Sequence, residues 1–330
     1  MGAPFVVSLR DLLRSASRTF AIGIERLPGV LGEAAMVAYL LLRVSDYLED
    51  TPDLPVDQKI RLLELWVKIL NRDVPVKELT NELHAVDTSN PDAVVAQHAA
   101  HLLSRLDTFP AEVQEIIRSH VVDSTLGMRR WVERGPQVND ENDLDDYMFE
   151  VAGRVGYLVM QLYAWYSIEI RRKQDQLMPL AREFGLGLQT VNVIRGLRED
   201  YERGWMYIPR KFLATLNLSP QQFFQPEYRV EALKVLDLLV DKAERHLRYA
   251  LNLVEALPPW QHNLRLACIF PLMFAIRTLT ISRQNAQVLE FEAKISREEV
   301  SRIVKDATFW GWSNLWLDQY YRKLGTAGGK

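Results

Sequence analysis

A helix that is apolar on every side is stable only when buried, and this chain carries one that runs straight into carboxylates. The run Ala34-Ala-Met-Val-Ala-Tyr-Leu-Leu-Leu42 has almost no polar face, and Arg43-Val-Ser-Asp46-Tyr-Leu-Glu49-Asp50 follows it. Residues three or four apart on a helix share a face. Asp46, Glu49 and Asp50 therefore project together, with Arg43 one turn earlier. A second segment repeats the arrangement. Phe184-Gly-Leu-Gly-Leu188 leads into Gln189-Thr-Val-Asn192-Val-Ile-Arg195-Gly196-Leu-Arg-Glu199-Asp200, so Asn192, Arg195, Glu199 and Asp200 line one stripe. Acids at this spacing are ordinarily a solvated helix face. Carboxylates that continue a buried-looking helix need partners instead, because an unpaired buried charge is very costly. Two such faces opposed across a helix bundle would wall a pocket with hard oxygen ligands. Mg²⁺ binds through one or two carboxylates plus substrate phosphates and neutralises a diphosphate leaving group. Arginines nearby hold phosphate oxygens bidentately.

Apolar residues recur at helical spacing through most of the 330 residues, with no convincing alternating strand. The spacing predicts helices over about 9–18, 31–49, 56–71, 91–107, 110–133, 142–169, 178–203, 227–256, 260–283 and 297–322. Pro271 is expected to kink or split the ninth. Breakers such as Pro28-Gly29, Pro52 to Pro55, Gly135-Pro136 and Pro258-Pro259 fall where a bundle would turn. No linker or composition shift divides the chain. The expected architecture is a single all-α domain over 1–324, its two acidic helices facing a central cavity, with a disordered tail over 325–330.

The composition, 48% hydrophobic and 25% charged, is that of an ordinary soluble globular protein. A net charge of -3 argues against a nucleic-acid binder driven by phosphate neutralisation. The single cysteine, Cys268, excludes an intramolecular disulfide and a multi-cysteine zinc site, and it fits a reducing cytoplasm. Between Met1 and Arg18 charges interleave with leucines, without the apolar core of a signal peptide. The most apolar stretch, Leu266 to Ile276, reads as too short to span a bilayer and is closed by Arg277. Phe309, Trp312 and Trp316 form an aromatic stripe that suits packing or peripheral contact with a membrane. His98 and His101 have no carboxylate or cysteine one turn away and are not read as metal ligands. The oligomeric state is open.

The motifs together resemble the squalene/phytoene synthase family, from about Ser15 to Tyr321. Ser17-Arg18-Thr19-Phe20 is similar to the family's N-terminal Ser-Arg-x-Phe element. Tyr39 to Asp50 is similar to its first aspartate-rich motif, and Val151-Ala152-Gly153-Arg-Val155-Gly156 to its Val-Ala-Gly-x-Val-Gly element. Asn192-x-x-Arg195-x-x-x-Glu199-Asp200, with Tyr207-Ile-Pro209 after it, is similar to the second motif. Pro271 to Leu279, Asn285-Ala-Gln-Val-Leu and Lys294-Ile295 resemble the squalene branch. Two positions depart. Gly196 stands where the family has an aspartate, which removes a metal-binding carboxylate. Glu150 stands where squalene synthases commonly carry a tyrosine, and Tyr147 lies one turn earlier.

The resemblance implies an all-α isoprenoid-synthase bundle that joins two farnesyl diphosphates head to head, giving presqualene diphosphate and then squalene. It implies Mg²⁺ on Asp46, Glu49, Asp50, Glu199 and Asp200. It implies substrate contacts at Ser17, Arg18, Phe20, Arg43, Gln189, Asn192 and Arg195, and catalytic roles for Tyr39, Arg43, Tyr147 and Arg195. It implies NADPH held near Lys294 and Arg297. Two other outcomes stay open: a product short of squalene (presqualene diphosphate, hydroxysqualene or a dehydrosqualene or phytoene-type product), or a non-catalytic interaction module that keeps the bundle.

Overall fold

The computed structural model describes residues 7–51, 54–83 and 89–326, and these fold as helices joined by short connections. Among the described residues no strand forms; one isolated bridge pairs Gln137 with Met206. The chain groups into two compact units, Met1–Glu133 with Gln161–Arg171, and Arg134–Met160 with Arg172–Lys330.

In the first unit the helix Gly29–Asp50 is the core element. From Ala34 to Leu42 every residue but Tyr39 is buried, as the missing polar face requires. Three polar groups that enter this core, Ser45, Trp66 and Thr125, bond to one another. The Ser45 and Thr125 hydroxyls lie 2.8 Å apart, Trp66 Nε1 donates to Ser45 Oγ at 3.2 Å, and Thr125 donates to the Val121 carbonyl at 2.7 Å. These bonds tie Gly29–Asp50 to Val56–Leu70 and Ala111–Arg134.

Two expected helices of this unit are broken. The first stops at Ala16; Ser17 is extended, with φ -158°, and its hydroxyl accepts the Phe20 N–H at 3.2 Å to start Arg18–Ile24. The stretch 91–107 divides at His98 into Pro91–Gln97 and Ala99–Leu106, and His98 Nδ1 sits 2.8 Å from the Val94 carbonyl. Of the expected breaker Pro52 to Pro55, Pro52 and Asp53 lie outside the described residues. So do residues 327–330 of the expected tail.

In the second unit Gln174–Glu202 packs along Arg229–Ala256. Glycines set the close approaches. A Cβ on Gly185 would lie 2.2 Å from the Ala152 carbonyl oxygen, and one on Gly156 would lie 2.1 Å from that of Ala181. The Val-Ala-Gly element is thus pressed backbone to backbone against Gln174–Glu202, which only glycine permits. The expected helix 142–169 is not uniform. It runs as Glu141–Met148, a π-helical turn at Phe149–Gly153, Arg154–Tyr166 and Ile168–Arg171. π-turns mark local departures from helical register, and this one coincides with the glycine contact.

Pro271 does not split its helix, which is continuous over His262–Ser282. The apolar stretch there is also longer than its sequence core suggested. By length and composition this 21-residue helix could cross a membrane, but 78% of its apolar window is buried inside the protein. Arg265, in the first turn of this helix, is fully buried. Its guanidinium donates to the carbonyls of Val254, Leu257 and Gly311 and to Asn314 Oδ1, at 2.6 to 3.0 Å. The expected helix 297–322 breaks at Gly311, where a Cβ would come 2.5 Å from the Ala307 carbonyl oxygen; Arg297–Trp310 and Asn314–Leu324 result.

Candidate active site

The first acidic motif occupies the last two turns of Gly29–Asp50. Arg43 is the organising group. Its Nη1 donates to Asp46 at 2.7 Å, while Nε donates to Asp92 Oδ1 at 3.0 Å and Nη2 to Asp92 Oδ2. Asp92 was not singled out from the sequence; after Asn90-Pro91 it reads as an ordinary acid in a helix's first turn. The Asp50 and Asp92 carboxylates both act on Asp46. Burial, with the like charges of Asp50 and Asp92, pushes Asp46 up to about 6 despite Arg43. Burial also raises the Tyr39 hydroxyl. The motif's acids do not share one environment. Glu49 is 3% exposed, Asp46 is half-buried and Asp50 faces solvent. Around them Phe20 and Tyr39 place their ring centres 5.7 Å apart. Arg18 is exposed at the start of its helix.

The second motif lies in the C-terminal half of Gln174–Glu202. Asn192 and Glu199 are exposed, Arg195 is half-buried, and Asp200 turns inward, so the expected stripe of four is a stripe of three with Asp200 to one side. Asp200 is bonded to Arg203. Its Oδ2 would lie 3.3 Å from a Cβ at Gly196, so the position that lacks the aspartate faces the Asp200 carboxylate. Gln189 Oε1 accepts from Asn192 Nδ2 at 3.3 Å. Arg195 is bonded to Glu292, and Lys294 reaches the same carboxylate at 2.5 Å.

Tyr147 is buried, and its hydroxyl lies 2.9 Å from that of Tyr207. Their rings stack at 4.8 Å, and Trp205 stacks on Tyr207 at 5.5 Å. Trp205 N–H donates to the Asp200 carbonyl at 2.8 Å, which connects this aromatic group to the end of the second motif. Glu150, buried in the π-turn, is bonded to Arg154. Arg297 is exposed at the start of Arg297–Trp310.

The model of the family described as squalene/phytoene synthase matches residues 13–299. The chain belongs to the squalene/phytoene synthase family. Within it, the chain is 27% identical over 304 residues to the Botryococcus squalene synthase of Botryococcus braunii, covering 88% of this chain and 61% of that protein. It is 26% identical over 296 residues to the squalene synthase of Rattus norvegicus, covering 90% and 68%. The chain therefore spans well short of the full length of either relative. Among solved structures, a ligand complex of TcSQS superposes with a TM-score of 0.82 at 23% identity, over 97% of this chain and 91% of that one. A dehydrosqualene synthase in complex with a ligand gives 0.66 at 18% identity, over 95% of each. The fold is the all-α isoprenoid-synthase fold of these synthases.

The family implies Mg²⁺. Among the described residues no group of three or more His, Cys, Asp or Glu side chains is arranged to hold a metal alone. Mg²⁺ is commonly taken by one or two carboxylates and completed by phosphate oxygens and water. Asp46 fits such an ion, because burial, and after it the like charges of Asp50 and Asp92, make its ionisation unfavourable without a cation beside it. The second motif fits it with one carboxylate fewer, at Gly196.

Proposed function

We propose that this family member joins two farnesyl diphosphates head to head and, with NADPH, carries the product to squalene. The observation that supports this most is the Arg43 cluster: a guanidinium fixed by Asp46 and Asp92 beside carboxyl groups that repel one another. Such a set suits a diphosphate bridged by a divalent cation.

On this reading Asp46, Glu49 and Asp50, with Glu199 and Asp200, would hold Mg²⁺, which when bound neutralises the departing diphosphate. Arg18, Arg43, Gln189, Asn192 and Arg195 orient phosphate oxygens. Ser17 caps the short helix and so fixes Phe20. Phe20 and Tyr39 present aromatic faces to the allylic cation left behind and keep water from it. The double bond of the second farnesyl group captures that cation, and loss of a proton completes presqualene diphosphate. Tyr147, bonded to Tyr207, is suited to exchange a proton with the leaving group or the intermediate. Lys294 and Arg297 suit the phosphates of NADPH, which supplies hydride for the second step.

Glu150 favours a second reading. A carboxylate bonded to Arg154 stands where a tyrosine is common, and this change bears on the later chemistry. The product would then be presqualene diphosphate, an alcohol or a dehydrosqualene. The test is incubation of the purified protein with farnesyl diphosphate and Mg²⁺, with and without NADPH, and identification of products by mass. Squalene only with NADPH is expected. The same non-reduced product in both conditions favours the second reading. A folded protein that consumes no substrate contradicts both and leaves the interaction module.

A further inference from the structure

Arg195 and Lys294 are held by one carboxylate. Glu292 Oε1 bonds the Arg195 guanidinium, and Glu292 Oε2 accepts from Lys294 Nζ at 2.5 Å. Arg195 comes from the middle of Gln174–Glu202, whereas Glu292 and Lys294 lie in the irregular stretch 290–296. That stretch is fastened at both ends. Glu290 is paired with Arg229 at 2.5 Å. Ser296 and Glu299 form a capping box, and Glu299 also accepts from Arg277 at 2.7 Å. Between these anchors Glu292 reaches across to the second motif. Lys294 is 69% exposed at the side chain and Arg195 is 37% exposed, so neither cation is sealed by the pair.

Two cations brought together on the two oxygens of one carboxylate are spaced for two oxygens of a phosphate, which carries more charge and more acceptors. We propose that Glu292 is a resident plug on a phosphate site made by Arg195 and Lys294, and that a phosphate-bearing ligand displaces it. The inference rests on reading Arg195 as a phosphate contact. Its consequence is a specificity device. A ligand with one weak negative charge gains little by exchanging with Glu292, whereas a diphosphate gains both cations. Apparent affinity is reduced by the fraction of molecules in which the plug is in place. The ligand source is either a prenyl diphosphate or the phosphates of a dinucleotide, which share this chemistry.

The test is calorimetric titration of the full chain, without divalent metal, using inorganic pyrophosphate and, separately, NADP⁺. Wild type is compared with Glu292→Gln, Arg195→Gln and the double variant, each checked by thermal unfolding. Removing one exposed-pair carboxylate is expected to tighten binding of at least one probe by about three- to tenfold. Tightening for pyrophosphate alone assigns the site to the diphosphate, and for NADP⁺ alone to the dinucleotide. Arg195→Gln should lose that probe in either background. Equal affinity of Glu292→Gln and wild type for both probes, with Arg195 still required, overturns the plug and leaves Arg195 as a phosphate contact. Binding that does not depend on Arg195 overturns the plug together with that reading. No binding of either probe by Glu292→Gln also overturns the plug.

Discussion

Asp92 receives Arg43 through two parallel bonds, Nε to Oδ1 at 3.0 Å and Nη2 to Oδ2, across 49 residues of sequence. The fork fixes the plane of the guanidinium and leaves Nη1 for Asp46 at 2.7 Å. Bidentate geometry of this kind adds orientation as well as energy. Asp92→Asn should release the guanidinium to pair more closely with Asp46, where it competes with a bound cation. We expect kcat/KM for farnesyl diphosphate to fall by about ten- to a hundredfold, and stability to fall by about 1–2 kcal/mol, since both partners are only half-buried. Steady-state kinetics and urea unfolding check the two effects.

A buried charge network in the second unit predicts a pH dependence. Lys242, 1% exposed, bonds Asp145 at 2.5 Å, and Glu141 lies 3.6 Å away. His246 Nδ1 lies 2.6 Å from Glu183, and its Nε2 lies 3.2 Å from Lys242 Nζ and 3.5 Å from Asp145. Burial opposes a charge on His246, but the bonds to Asp145 and Glu183 outweigh it and raise its pKa above 6.5. A raised histidine stabilises the fold fully below its unfolded value and loses that contribution as pH rises through the folded value. Asp145 and Glu183 run the other way. Burial pushes Asp145 up, but His246 and Lys242 more than offset it; the bond from His246 holds Glu183 low. Their contributions are present above ordinary carboxylate values and are lost in acid. Thermal unfolding from about pH 6.5 upward should show a decline in wild type that His246→Gln lacks. Parallel curves for the two proteins would contradict it.

Gly196 tests the altered second motif. A Cβ there meets Asp200 Oδ2 at 3.3 Å, a contact with the movable end of a side chain. Gly196→Ala should stabilise the helix by about 0.5–1 kcal/mol. Gly196→Asp places a second carboxylate beside Asp200, and like charges oppose it. We expect that variant to gain less stability than Gly196→Ala without metal and to show the larger rise in Tm on adding Mg²⁺. Melting curves with and without Mg²⁺ decide this.

Gly156→Ala separates packing from chemistry. Its Cβ would overlap the Ala181 carbonyl oxygen at 2.1 Å, and backbone cannot rotate away as a side chain does. A loss of about 3 kcal/mol is expected. The check is the denaturant midpoint, with the slope unchanged.

The helices were legible where one face or all faces are apolar. Apart from the half-buried Tyr39 and Ala267, Ala34 to Leu42 and Leu266 to Ile276 are buried as their composition demands. The breaks were less legible, because their causes are tertiary. Nothing in Ala96 to Ala100 departs from helical composition, yet the helix parts at His98. The π-turn at Phe149–Gly153 is tied to a glycine contact from another helix, which spacing along one segment does not reveal. In the site, the acids of the motifs were legible by their three- and four-residue spacing. Asp92 and Glu292 were not, because neither belongs to a motif in its own segment and each becomes informative only when an arginine from elsewhere reaches it.

The most direct test of the central claim is a mixing experiment. The protein is given farnesyl diphosphate and a fully deuterated counterpart in equal amounts with Mg²⁺, and the products are weighed. Head-to-head joining predicts light, mixed and heavy products, with the mixed species most abundant, and none of them from Asp50→Ala. Products that are only light or only heavy would mean that each molecule reacts alone, and would contradict the account.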